Sequence, residues 1–365
     1  MKAFSILAIV LFCAAGAQAV QFSYLDPGYA QEIYAAPLTT GQEAGMAWTA
    51  GGNLLTRAGS VIIEHSLTQN AVVQGTNLHG VTVTHPITGL STTGYGMTSG
   101  LDGYIYTATG TGLERFKPTN WAAPAQALAG TVGGAGWGIT TLSDGRIAYS
   151  DGSSPSNIYV YDPVGGSNSL IYTVPGGVQV DDIEASNTGQ IALAGHSNNT
   201  ITVINYSGAW ISTFSTPHAP DGLAFGDGAA SGSLFSNNNN GSITRYDMTP
   251  NFVSLISATD IATNLYTGGS TGGAYGDLAS VGPDCAFYVT QYENGGSNGS
   301  TAGVGTHWDN GVTTSQASII RISALGLQSD GTLGPVCGFD STTPEPATLS
   351  LLAMGGLAVL RRKRK

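Results

Sequence analysis

The chain has 365 residues, of which 53 are glycine, 10% are charged and 41% are hydrophobic, and it carries a formal net charge of −11. That length suits one large all-β domain or two ordinary ones, and the low charge with abundant apolar residues excludes a disordered chain. The glycine excess argues against a helical bundle and for many short strands joined by tight turns, and the acidic balance argues against binding to nucleic acid.

At the N-terminus, Lys2 is followed by an apolar run over residues 3–15 and then by Ala17-Gln18-Ala19. This order reads as a cleavable export signal over residues 1–19, with Ala17 and Ala19 supplying the small residues that signal peptidase accepts. The run is shorter than the roughly 20 residues needed for a permanent span.

From residue 28 onward a unit repeats. A small residue or Asp precedes an apolar one at Gly45-Met46, Gly96-Met97, Gly138-Ile139, Asp182-Ile183, Gly222-Leu223 and Asp277-Leu278, at intervals of 51, 42, 44, 40 and 55 residues. Each anchor is followed by a second strand across a turn and by a third, and fainter fourth strands fit residues 81–85, 169–174, 209–214 and 252–256. The clearest copy is residues 136–162. Periods near 40 to 50 with several strands each predict propeller blades. The fold expected is an all-β, six-bladed β-propeller over residues 28–325, with seven blades as the alternative because the two long intervals leave room for extra strands. The sixth repeat lacks a fourth strand, and the alternating segment 29–35 is the candidate to supply it, closing the ring without a free sheet edge.

The motifs His218-Ala219-Pro220-Asp221-Gly222-Leu223 and Ser143-Asp144-Gly145-Arg146-Ile147 resemble those of six-bladed propellers of the NHL-repeat, SMP-30/gluconolactonase-like and streptogramin-lyase-like superfamily. Such motifs speak for architecture more than for any one chemistry.

Residues just ahead of each anchor should crowd one mouth of the central channel: Glu43, Tyr95, Trp137, Asp181, Asp182, Asp221 and Asp277, with Glu184 close behind. Asp182, Asp221 and Asp277 form a candidate Ca²⁺ or Mg²⁺ site, since converging carboxylates suit hard cations; the plainer reading is that they cap turns. Tyr95 and Trp137 are a candidate sugar-stacking pair, and Trp308, in the long segment 291–316, is a candidate binding aromatic. Six histidines show no HExxH spacing, and no Gly-x-Ser-x-Gly elbow is present. His218, next to the mouth, is the sole catalytic candidate. In the streptogramin-lyase-like relatives a mouth histidine works with a metal, which is what the resemblance implies for His218.

Cys13 leaves with the export signal, so Cys285 and Cys337, 52 positions apart, are expected to pair in an oxidising compartment and to pin residues 326–343, an extension and linker, to the last blade. The C-terminus reads Pro344-Glu345-Pro346, an uncharged apolar run over residues 347–360, and five basic residues over 361–365. The basic cluster resists translocation, and the run is short for a permanent span. Residues 344–365 resemble the PEP-CTERM sorting signal. That resemblance implies transient membrane insertion, cutting by an exosortase in a Gram-negative inner membrane, and residence at the cell surface or in a biofilm matrix. Trimming at both ends leaves six basic residues against 22 or 23 acids, a net charge of −16 or −17. The expectation is a non-catalytic binding or scaffold protein for exopolysaccharide or another protein. The alternative is a divalent-metal-dependent hydrolase or lyase with its site at the channel mouth.

Overall fold

A computed structural model describes residues 22–35, 45–58, 60–65, 83–94, 96–134, 137–264, 275–292, 318–328 and 333–340. They form six antiparallel sheets arranged as the blades of a propeller, each running from an inner strand outward. The inner strands are Met46–Trp48, Met97–Ser99, Ile139–Thr141, Ile183–Ala185, Pro220–Phe225 and Tyr275–Val281, one per anchor. They touch in cyclic order, with that of blade 6 meeting that of blade 1, so the ring is closed. Blade 3, for example, continues through Ile147–Ser150, Asn157–Asp162 and Ser167–Thr173. Among the described residues the two long intervals hold no seventh sheet.

Closure is by the N-terminal segment. Tyr29–Ala35 pairs antiparallel with Ser318–Leu327 as the outer strand of blade 6. Tyr34 is buried there, edge-on to Tyr288 with ring centroids 5.0 Å apart, and Tyr288 meets Trp48 of blade 1 at 4.5 Å. The closing strand thus brings an aromatic contact as well as ladder hydrogen bonds.

The core is distributed. Six hydrophobic clusters are found, one at each junction between neighbouring blades; one joins Ala47, Leu55 and Ile62 to Met97, Ile105 and Phe116, and the next joins Tyr106 and Leu113 to Ile139, Ile147 and Tyr149. Because each sheet is covered on both faces, middle strands are buried throughout, as in Ile147–Ser150 and Ser233–Asn238, and their burial does not alternate. Each fully buried Leu, Ile or Phe contributes about 1.5–3 kcal/mol.

The small anchor residue has a steric cause. A Cβ on Gly96 would sit 2.0 Å from the carbonyl oxygen of Trp137, and one on Gly138 would sit 2.7 Å from Ile183 Cγ1. Inner strands converge at the axis, and the backbone of one blade passes where its neighbour's side chain would begin.

Three features depart from the repeat pattern. The outer strand of blade 5 is Leu255–Asn264 and not 252–256, because Asn251 and Phe252 take φ of 61° and 60° in a tight turn before it. Phe22–Tyr24 adds a fifth strand outside it. Leu333–Val336 folds back on Ser318–Leu327 and leads into Cys337, which is joined to Cys285 with Cα atoms 4.9 Å apart. Beyond the disulfide, Phe339 is fully buried against Tyr29, Phe235 and Phe287, and Asp340 accepts hydrogen bonds from the Asn187 backbone N–H and carboxamide.

Candidate functional site

The meander order sends two kinds of connection to the mouth: those from one blade to the next, and those between second and third strands of a blade. Asp181 and Asp221 come from connections of the first kind, just before and at the start of the inner strands of blades 4 and 5. His196 comes from the second kind, opening the short 3-10 turn that follows Gln190–Gly195 in blade 4. The fold brings the three together: His196 Nδ1 lies 2.9 Å from Asp181 Oδ2 and 3.8 Å from Asp221 Oδ2, and one potential ligand atom from each falls within 4.8 Å of the others. The Asn239 carboxamide lies 3.1 Å from His196 Nε2. Asp221 is buried, while the His196 side chain keeps 34% of its surface exposed, so the group opens to solvent on one side.

With no cation present, the hydrogen bond to Asp181 and then that to Asp221 push the His196 imidazole up to about 10, against the opposing pull of burial. At neutral pH it is an imidazolium held between two carboxylates. A metal would take its place electrostatically, since ligation requires the neutral ring and releases the proton.

A second pair stands on the same face. His218 Nε2 is 2.9 Å from Asp260 Oδ2, Thr244 donates to the other Asp260 oxygen at 2.7 Å, and the Asn240 carboxamide lies 3.1 Å from His218 Nδ1. The run of four asparagines from Asn237 thus supplies one carboxamide to each mouth histidine.

Asp182, which sequence alone groups with Asp221 and Asp277, is buried, and its Oδ2 accepts the Leu223 backbone N–H at 2.8 Å, bridging the inner strands of blades 4 and 5. Asp277 lies in Tyr275–Val281, and its side chain is outside the described set. Trp137 is half-buried ahead of the inner strand of blade 3. Tyr95, Trp308, Ala17, Ala19, Pro344, Glu345 and Pro346 lie outside the described residues. Deeper in the channel, Glu184 receives the Thr140 hydroxyl at 3.4 Å; burial first, then the charges of Asp182 and Asp340, hold its carboxyl well above the usual range.

Residues 342–365 match the PEP-CTERM protein-sorting motif. The chain thus carries a PEP-CTERM sorting signal, which indicates export across the inner membrane to the cell surface or beyond and implies exosortase-mediated processing of the tail. The body of the chain is similar in fold to three solved structures. A streptogramin B lyase superposes with a TM-score of 0.51 at 13% identity, covering 81% of this chain and 98% of the other. A gluconolactonase from Xanthomonas campestris gives 0.52 at 11%, over 80% and 90%. A calcium-binding regucalcin from Agrobacterium tumefaciens gives 0.54 at 12%, over 87% and 97%. At such identities the likeness shows the six-bladed fold alone. No curated protein matches the chain.

Proposed function

We propose that this exported propeller is a surface or matrix binding protein whose mouth holds a divalent cation on Asp181, His196 and Asp221, and through it an oxygen-rich ligand such as a polysaccharide or an acidic protein segment. The observation that carries the reading is the convergence of two carboxylates and an imidazole within 4.8 Å at the mouth of an acidic protein. Three donors leave coordination positions free for ligand oxygens. Two oxygens and one imidazole nitrogen also suit Mn²⁺ or Zn²⁺ better than Ca²⁺, which prefers oxygen throughout.

The test is metal content and binding on the exported, processed protein. A stoichiometric first-row divalent ion that raises the melting temperature and is lost in Asp181→Asn together with Asp221→Asn supports the reading. A protein that binds no such ion, and whose melting temperature ignores EDTA, refutes it.

A second reading is favoured by one further observation, the His218–Asp260 pair on the same face, because an imidazole oriented by a carboxylate is the arrangement of a general base. In that reading the mouth is a metal-dependent hydrolase or lyase site, of the kind named for the gluconolactonase and lyase neighbours. Metal-dependent turnover of lactones, abolished in His218→Ala with metal retained, would favour it over simple binding.

A further inference from the structure

The two faces of the propeller differ in what leaves them and in what they expose. Turns joining first to second and third to fourth strands lie on the face opposite the mouth, and the C-terminal segment ends there. Asp340 receives the Asn187 N–H at 2.8 Å in such a turn of blade 4, and its own N–H donates to the Phe225 carbonyl at 2.8 Å, at the far end of the inner strand that begins beside Asp221. Four residues of strand put the two ends about 13 Å apart. The exit is fastened by the Cys285–Cys337 disulfide and by the buried Phe339. Only residues 341–346 then separate it from the apolar run that starts at Ala347. Six residues reach at most about 20 Å, so an inserted tail holds this face, and not the mouth, against the membrane.

The same face carries exposed apolar side chains at its outer connections: Val164 (98% exposed), Leu327 (77%), Leu333 (69%), Ile256 (66%), Trp210 (60%) and Val253 (58%). On the mouth-side connections, among the described residues, Val132 is the single large hydrophobic that is exposed. Trp and aliphatic side chains of this kind settle at the headgroup boundary.

We propose that the face from which the tail emerges is a membrane-docking surface: while the apolar run is inserted, Val164, Trp210, Val253, Ile256, Leu327 and Leu333 rest against the headgroup layer of the same bilayer and the Asp181–His196–Asp221 mouth points away from it. The inference rests on the reading that residues 347–360 enter the membrane. The tether supplies a high local concentration at the bilayer, and the apolar contacts supply orientation. Removal of the tail therefore frees the body.

The full chain, in membranes of a host without the processing enzyme, tests this. A benzophenone amino acid replaces Val164, Trp210 or Val253 on one face, or Thr92 or Asn198 on the mouth side, and lipid adducts are counted after illumination. Adducts several-fold more abundant at 164, 210 and 253 than at 92 and 198, and lost when the tail is removed, are expected. Carbonate extraction separates the two ways to fail: a chain washed off by carbonate refutes insertion and the docking with it, whereas a retained chain with equal adducts on both faces, or more at the mouth, refutes the docking alone.

Discussion

Replacing His196 by Gln removes a charge that the structure assigns to the mouth, and its effect on stability must depend on pH. The imidazole moves from an ordinary value near 6.5 to about 10 in the folded state. At about 1.4 kcal/mol per unit this sets an upper bound of about 5 kcal/mol. The side chain is 34% exposed, and solvent screening brings the expected contribution to about 1–2 kcal/mol. Because the folded value lies above the unfolded one, the stabilisation is complete below about pH 6.5 and is lost as pH rises through about 10. Urea unfolding of the metal-free protein with EDTA should therefore find His196→Gln about 1–2 kcal/mol less stable than the parent at pH 6, with the gap closing by pH 10.5. Comparing two chains that share every tyrosine cancels the other groups that titrate in this window. A gap that stays constant from pH 6 to 10.5 would show that His196 is not charged between Asp181 and Asp221. The same linkage sharpens metal binding, since the ion must displace the proton: affinity should rise up to about tenfold per pH unit between pH 6 and 8.

Other consequences are open to direct measurement. Phe339→Ala deletes a fully buried ring packed on Phe235 and Phe287, and urea unfolding should show a loss of about 3–5 kcal/mol; a loss under about 1 kcal/mol would mean the C-terminal segment does not dock. Gly96→Ala places a methyl 2.0 Å from the Trp137 carbonyl oxygen, which cannot be accommodated without moving a backbone, so a loss of about 1–3 kcal/mol is expected, where the exposed Gly51, whose added methyl would meet only the Thr49 hydroxyl at 3.7 Å, would tolerate the change far better. Deleting Pro344, Glu345 and Pro346 should leave the chain untrimmed and held in the inner membrane, and normal trimming without them would overturn the sorting assignment.

Blade count, strand order and the closing role of Tyr29–Ala35 are legible in the sequence because they depend on local signals: an anchor pair every 40 to 55 residues, turn glycines, and alternation in a segment with no partner of its own. The added edge strand Phe22–Tyr24 is not legible, since three residues carry too little pattern. The mouth is half legible. Adjacent strand residues face opposite ways, so composition marks Asp181-Asp182 but does not say which carboxylate faces His196 and which bridges to Leu223; the register decides it. His196 itself escapes sequence reasoning because it belongs to no motif and sits 15 residues beyond Asp181 and 25 before Asp221. The one usable signal is that turns after second strands share the mouth with the connections between blades.

By itself, then, the sequence determined the address and the scaffold: PEP-CTERM sorting at residues 342–365 and a six-bladed ring. Both are written in contiguous stretches whose meaning does not depend on distant neighbours. Only the tertiary structure decided which side chains meet at the mouth, and that the C-terminal exit and the exposed apolar side chains share the opposite face. Those facts arise from closing the ring, which brings residues from separate blades within hydrogen-bond distance and sorts every turn to one face or the other.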